Sequence, residues 1–197
     1  NERGIIMANM VELKILDVGC GSKKVKSAIG IDKYPLDNVD ICHNLDEYPW
    51  PIESSSMEKI IFSHSINHLK DIEKIISECH RILKTNGLVE IVAPHFSSDN
   101  FRTDPTHRFS LGFRSMEYFV TNGDTEYHYR NDDIKLVLLS KSLSFRECKA
   151  SWRKKTKFNL AKIIGLEALV NLFPRIYERF FSSLIPVSEV SYLLKKI

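Results

Sequence analysis

The feature that most constrains the fold is a short apolar run that stops abruptly at two glycines. The run from Leu13 to Val18 is typical of a buried strand, and Gly19-Cys20-Gly21 follows it as a tight turn. The backbone of such a turn can approach a ligand closely, and we expect its free N–H groups to bind an anion. Asp32 ends a second strand-like run, Ala28–Asp32, where a carboxylate can accept both hydroxyls of a ribose. These features predict a nucleoside-containing cofactor at the carboxyl edge of a parallel sheet.

The rest of the first half continues the alternation of strands and helices. Three further runs are strand-like: Val39–Cys42, Glu58–Phe62 and Leu88–Ala93. Between the last two, apolar residues at helical spacing predict a helix from Ile72 to Lys84, which Asn86-Gly87 would end. Buried strands that alternate with helices indicate a parallel sheet covered by helices.

The second half has a different organisation. Residues 95–131 are polar and aromatic without a long period, which predicts a substrate-facing insertion after strand five. Two strand-like runs, 134–139 and 144–148, are close enough in sequence to predict an antiparallel hairpin at one sheet edge. The apolar tail, 158–197, predicts a helical C-terminal appendage. The expected fold is therefore an α/β, Rossmann-like, doubly wound, seven-stranded, mostly parallel sheet in residues 1–157, followed by this appendage.

Composition and charge limit the function classes. Of 197 residues 43% are hydrophobic and 27% charged, as in a globular chain, and no apolar run approaches the ~18 residues of a membrane-spanning helix. Four cysteines without a C-x-x-C spacing predict reduced thiols and a cytoplasmic protein. Residues 101–197 hold 17 Lys and Arg against 10 Asp and Glu, so this half favours an anionic partner.

The glycine turn does not match a dinucleotide site. A third glycine is missing, and the segment from Gly21 to Asp32 is too short for a full crossover helix. The D-x-G-x-G pattern of Asp17 to Gly21 instead resembles motif I of class I S-adenosylmethionine-dependent methyltransferases. Four later segments are similar to further motifs of that superfamily: Gly30-Ile31-Asp32, Asn44 to Trp50, Phe62 to Leu69, and Arg81 to Gly87.

The resemblance implies the cofactor S-adenosyl-L-methionine, the product S-adenosyl-L-homocysteine and a set of cofactor-binding residues. That set is Asp17, Gly19, Cys20, Gly21, Asp32, Lys33, Asn44, Leu45, Ser63 and His64. The chain departs from the usual pattern in its short first turn, in Asn44 where Asp is common, and in Asn67 where Glu is common. Short relatives that methylate sugars or small metabolites share the short turn and resemble the stretch from Asp104 to Phe109.

We therefore expect methyl transfer to an oxygen of a small molecule or glycan precursor, with a histidine as general base. The candidates, in order, are His107, which Asp104 is expected to orient, then His95 and His64. Arg102, Arg108 and Arg114 are candidates for binding an anionic acceptor.

Parts of the sequence are compatible with different functions. His64 and His68 have an i, i+4 spacing that suits a metal, but no third ligand is near in sequence, so no metal site is predicted. A basic run from Arg146 to Lys157 would suit an RNA methyltransferase, although it lacks a pattern of stacking aromatics. The fold would also suit a nicotinamide-dependent oxidoreductase, or a non-catalytic partner protein that retains it. The apolar tail would allow a homodimer through the C-terminal helices.

Overall fold

The computed structural model describes residues 14–125, 133–145 and 165–197, which form an α/β fold around one seven-stranded sheet. The strands are β1 (Ile15–Val18), β2 (Ala28–Asp32), β3 (Ile41–Cys42), β4 (Met57–Ser63), β5 (Leu83–Pro94), β6 (Leu136–Ser144) and β7 (Glu189–Lys196). The helices are α1 (Ile72–Ile82), α2 (Asp99–Thr103), α3 (Leu166–Leu172) and α4 (Pro174–Ile176). Single turns of 3₁₀ helix cover Ile66–His68 and Ser115–Phe119, and a π turn covers Tyr177–Phe181.

The order of the strands across the sheet is β3-β2-β1-β4-β5-β7-β6. The first five are mutually parallel, whereas β7 is antiparallel to both of its neighbours. This confirms the expected seven-stranded, mostly parallel sheet. Because parallel strands end at the same edge, the loops after β1, β2 and β4 meet there.

The predicted antiparallel strands at the sheet edge are present, but their partners are not the two neighbouring segments. A single strand, β6, runs through the first predicted run and ends at Ser144, and it pairs with β7 from the end of the chain. Proximity in sequence favoured a local hairpin, but β7 pairs with both β5 and β6, and its buried Val190, Tyr192 and Leu194 lie on one face against the core. The tail is therefore helical only in part, because its last segment completes the sheet.

Helix α1 has the predicted amphipathic character and packs its apolar face into the core. Asp71 caps it by accepting a hydrogen bond from the Lys74 amide, at 3.1 Å. The helix ends at Ile82 rather than at Lys84. The ammonium of Lys196 on β7 bonds the carbonyls of His80 and Leu83, so the end of the chain satisfies acceptors at the end of this helix.

The connections that carry the site are irregular. No helix lies between β1 and β2, as the short first turn predicts. The described part of the insertion, residues 95–125, holds α2 and a 3₁₀ turn, and its Leu111, Met116 and Phe119 join the main core. The insertion is thus anchored on the sheet by apolar contacts.

Some sequence predictions lie outside the described residues. They are the end of the second strand-like run, residues 146–148, the basic run from Arg146 to Lys157, and the domain boundary between residues 157 and 158. Among the described helices, none has the length and apolar character needed to cross a bilayer.

Two adjacent leucines of β7 test its place inside the sheet. Leu194 is fully buried, while Leu193 on the opposite face is half-buried. We expect Leu194→Ala to lower the free energy of unfolding by about 3 kcal/mol, because it leaves a cavity in the core. Leu193→Ala is the matched control and should cost clearly less in urea denaturation. Equal losses would contradict the assignment of Leu194 to the core face of β7 and of Leu193 to the opposite face.

Candidate functional site

The glycine turn after β1 has the backbone geometry that requires glycine. Gly19 has a φ of +68°, and a Cβ there would lie 2.5 Å from the Cβ of Ser65. Gly21 has a φ of +53° with open space around it, so it is needed for its conformation rather than for room. The turn therefore keeps side chains away from the space beside Ser65.

The amides of this turn are not free to bind an anion, contrary to our expectation. The amides of Gly19 and Cys20 donate to the Ile31 carbonyl, at 2.8 and 3.4 Å. The Gly21 amide donates to Oδ2 of Asp32 at 2.9 Å. Since all three donors have partners within the protein, the turn contributes shape rather than positive charge.

The two acidic residues of the motif have different environments. Asp17 is 2% exposed and accepts a hydrogen bond from the Val25 amide at 2.8 Å, so it fixes the loop between β1 and β2. Burial raises the pKa of its carboxyl. Asp32 accepts one bond at each oxygen, from the amides of Gly21 and Tyr34. A carboxylate offers about four acceptor positions, so Asp32 keeps capacity for further donors.

A cavity of about 840 Å³, here called the site cavity, opens at this edge of the sheet. Its volume is in the range of cofactor-sized sites. Its lining residues are Gly19, Asp32, Lys33, Tyr34, Asn44, Leu45, Asp46, His64, Ser65, His68, Leu69, Pro105, Thr106, His107 and Arg108. The cavity thus extends from the predicted ribose-binding carboxylate to the insertion.

The loop after β3 forms one wall of the site cavity. Leu45 is buried, and its carbonyl accepts a hydrogen bond from the indole of the buried Trp50 at 3.0 Å. Asn44 is exposed, with its amide bonded to Glu47 at 2.9 Å. An apolar side chain beside an exposed amide suits a flat heterocyclic base, as the resemblance implies.

At the end of β4, the ring of His64 is held by a carboxylate from β7. Its φ of +57° is rare for a residue other than glycine and is enriched at functional sites. Its Nε2 lies 3.1 Å from Oε1 of Glu189, the first residue of β7. The Nδ1 atom is buried and has no hydrogen-bond partner among the described residues. If Nε2 carries the proton that Glu189 accepts, Nδ1 of the neutral ring has an unused lone pair.

His95, by contrast, lies away from the site cavity. It is fully buried, with Nδ1 2.8 Å from the Ser97 hydroxyl and Nε2 3.0 Å from Oε1 of Glu178. The same Glu178 oxygen also accepts a hydrogen bond from the Phe113 amide, so this network ties the insertion to the C-terminal helices. This arrangement favours a structural role for His95.

His107 lines the site cavity from the insertion. Its ring stacks on Phe101, with centroids 5.5 Å apart, and its Nδ1 lies 3.2 Å from the Phe101 carbonyl. Its Nε2 faces Oδ2 of Asp104 at 4.0 Å, so the expected pairing with Asp104 is present as a near approach.

The three candidate arginines are not together. Arg108 lines the site cavity, and its amide donates to the Asn67 carbonyl at 2.7 Å. Arg114 bonds Glu117 at 2.8 Å, and Arg102 is exposed on α2; neither lines the cavity. Only Arg108 of the three is placed to contact an acceptor in this cavity.

The structure brings together six of the ten predicted cofactor residues in the site cavity: Gly19, Asp32, Lys33, Asn44, Leu45 and His64. Asp17 and Gly21 shape the turn from outside it, and Ser63 is exposed on the strand end. Burial raises the pKa of the Cys20 thiol to about 11, so it remains protonated at neutral pH. Sequence reasoning missed Tyr34, Asp46, Ser65, Leu69 and Thr106, each within two residues of a position that it named.

The site cavity fits the adenosyl group that the sequence resemblance implies. Asp32 has spare acceptor positions for a diol, and Gly19 leaves the adjoining space free of a side chain. The fit rests on these two groups and on the volume of the cavity.

Comparisons with known proteins agree with this geometry. A demethylmenaquinone methyltransferase from Chlamydia caviae is 30% identical over 112 residues, which cover 55% of this chain and 49% of that protein. The chain thus spans about half the length of this curated relative. An S-adenosylmethionine-dependent methyltransferase from Archaeoglobus fulgidus has a TM-score of 0.54 at 18% identity, over 93% of this chain and 86% of that one. A Haloferax volcanii complex of a methyltransferase with its activator Trm112 gives 0.54 at 14% identity, over 94% and 82%.

At these identities the solved structures show the shared fold alone. The family itself is shown by a model described as a methyltransferase domain, which matches residues 6–138, more than half of the chain. The chain belongs to this methyltransferase domain family, within the class I S-adenosylmethionine-dependent methyltransferase superfamily.

Proposed function

We propose that the protein transfers a methyl group from S-adenosylmethionine to an oxygen atom of a small molecule or glycan precursor. The observation that carries this proposal is one continuous cavity. It joins the Asp32 carboxylate to His64, whose buried Nδ1 has no partner among the described residues. A buried lone pair that receives no hydrogen bond costs free energy, and the hydroxyl of the substrate to be methylated would donate that hydrogen bond.

Residues at and after the ends of the first three strands would line the cofactor end of the cavity. Asp32 would accept the ribose hydroxyls, and Leu45 with Asn44 would contact the adenine. When bound, S-adenosylmethionine supplies an electrophilic methyl carbon on a sulfonium, whose carbon–sulfur bond breaks as the oxygen–carbon bond forms. The protein's task is to align the acceptor with that carbon and to exclude water.

We assign the general base to His64. Its Nδ1 accepts the hydroxyl proton of the acceptor, and Glu189, hydrogen-bonded to Nε2, stabilises the imidazolium that forms. The proton then passes from Nδ1 to water that enters the cavity after the product has left.

This assignment changes the order that the sequence suggested. His107 ranked first, but both of its nitrogens face groups of the insertion itself, the Phe101 carbonyl and Asp104. His95 has both nitrogens bonded inside the core and does not line the cavity. Of the three candidates, His64 is the one with a buried ring nitrogen that has no hydrogen-bond partner among the described residues.

The acceptor we propose carries negative charge. Arg108 lines the cavity on the side of the insertion, and the second half of the chain has an excess of basic residues. A phosphate or carboxylate would suit this side. The name of the Chlamydia relative does not fix the acceptor, because the chain spans only about half of that protein.

Asp32→Asn tests the cofactor end. The change removes the charge that strengthens hydrogen bonds to the ribose, so S-adenosylhomocysteine should bind about 10–100-fold more weakly in isothermal titration. Asp37→Asn, an exposed carboxylate in the loop after β2, is the matched control and should bind as the unmodified protein does. Undiminished binding by the Asp32 variant would contradict the proposed cofactor site.

His64→Gln tests the base. With an acceptor found by screening hydroxylated metabolites and sugar phosphates for transfer of a labelled methyl group, kcat should fall by about 10²–10⁴-fold. Affinity for S-adenosylhomocysteine should change little. His80→Gln on α1, outside the cavity, is the control and should keep full activity. An unchanged kcat in the His64 variant would exclude this residue as the base.

A further inference from the structure

Three potential metal ligands meet where the insertion packs against the turn after β4. His68 lies on the 3₁₀ turn Ile66–His68, and Asp104 and His107 lie just after α2. One ligand atom from each lies within 4.8 Å of those of the other two. Two imidazoles and a carboxylate are a ligand set that divalent transition metals prefer, and sites of this kind leave coordination positions open.

The Thr106 hydroxyl links two members of this cluster. It lies 2.6 Å from Oδ1 of Asp104 and 2.8 Å from Nδ1 of His68. Because an ionised carboxylate only accepts, the single hydroxyl proton goes to Asp104, and Thr106 must accept from His68. The neutral ring of His68 therefore carries its lone pair on Nε2, and Oδ2 of Asp104 stays free of Thr106.

His107 is oriented in a comparable way by the backbone. Its Nδ1 can donate to the Phe101 carbonyl at 3.2 Å, which leaves the lone pair on Nε2. This atom and Oδ2 of Asp104 are 4.0 Å apart, too far for a hydrogen bond. Two ligands of a tetrahedral ion at about 2.0–2.2 Å lie about 3.3–3.6 Å apart, so a small closing movement would place a cation between these two atoms. Partners of this kind on the second ring nitrogen are typical of metal-binding histidines.

We propose that the side chains of His68, Asp104 and His107 bind one divalent transition-metal ion, such as Zn²⁺ or Co²⁺, at the acceptor side of the site cavity.

The place of this site gives the ion a role that rests on the proposed function. His68 and His107 line the same cavity as His64, so open coordination positions would face the acceptor. A bound hydroxyl has a lowered pKa, which eases the loss of its proton to His64. The acceptor would then present its hydroxyl oxygen to the ion as a ligand.

Metal binding is tested directly on protein freed of metal by chelation. We expect isothermal titration with Zn²⁺ to give one ion per chain and Co²⁺ to give visible d–d absorption. Asp104→Asn and His107→Gln should each weaken binding at least tenfold, while His80→Gln should not. No saturable binding, or binding that these two variants leave unchanged, would overturn the site.

Thr106 offers a matched pair that keeps the ligands in place. Thr106→Val removes the hydroxyl that orients Asp104 and His68, and it should weaken Zn²⁺ binding about 10–100-fold. Thr106→Ser keeps the hydroxyl and should bind within about threefold of the unmodified protein. Thermal unfolding of both variants without metal checks their folding, and equal metal affinities would contradict this arrangement.

Titration of S-adenosylhomocysteine into the same proteins separates this inference from the proposed function. If the unmodified protein binds S-adenosylhomocysteine but no metal, only the metal site is overturned. Metal binding without cofactor binding would overturn the proposed function and support the site. With an acceptor in hand, turnover that is unchanged by removing the metal would overturn the role in acceptor binding.

Discussion

The hydrogen bonds of Asp32 are the constraint on which fold and site both depend. One oxygen of this carboxylate holds the Gly21 amide and the other holds the Tyr34 amide, so a single side chain fixes the loops after β1 and β2. The turn after β1 has no helix to stabilise it, and Asp32 with the buried Asp17 supplies the missing acceptors. The residue proposed to bind the ribose therefore also shapes the turn beside it, so loss of Asp32 affects both.

The end of the chain completes both the sheet and the proposed catalytic pair. Strand β7 fills the space between β5 and β6, and its first residue, Glu189, reaches His64 across the sheet edge. Its last residues reach the end of α1 through Lys196. Because β7 pairs with β5 in a fixed register, Glu189 lies opposite Pro94, close to the end of β4. The position of the carboxylate is thus set by main-chain pairing rather than by a flexible loop.

Local patterns predicted the parts of the protein that local physics determines. The glycine turn, the strand Ala28–Asp32 and the amphipathic α1 follow from spacing within a few residues. The pairing of β6 with β7 could not be predicted in this way, because the C-terminal helices separate the two strands in sequence. The proposed metal site is the same kind of case, since Asp104 and His107 come to His68 only through tertiary packing. The proposed order of the histidines also rests on long-range properties, namely the burial of His95 and the contact of His64 with Glu189.

Hydrogen bonds of Asn67 hold the insertion beside the site cavity. Where this superfamily commonly has Glu, the fully buried Asn67 donates from its amide to the Phe109 carbonyl at 3.0 Å. The main-chain carbonyl of Asn67 accepts the Arg108 amide at 2.7 Å. A carboxylate could not donate to Phe109 and would place a charge in the core, so the amide is the better residue for this contact. Since His68 is next to Asn67 and His107 is next to Arg108, these bonds also hold the two proposed metal-binding histidines together. The departure from the family pattern thus couples the insertion to the site.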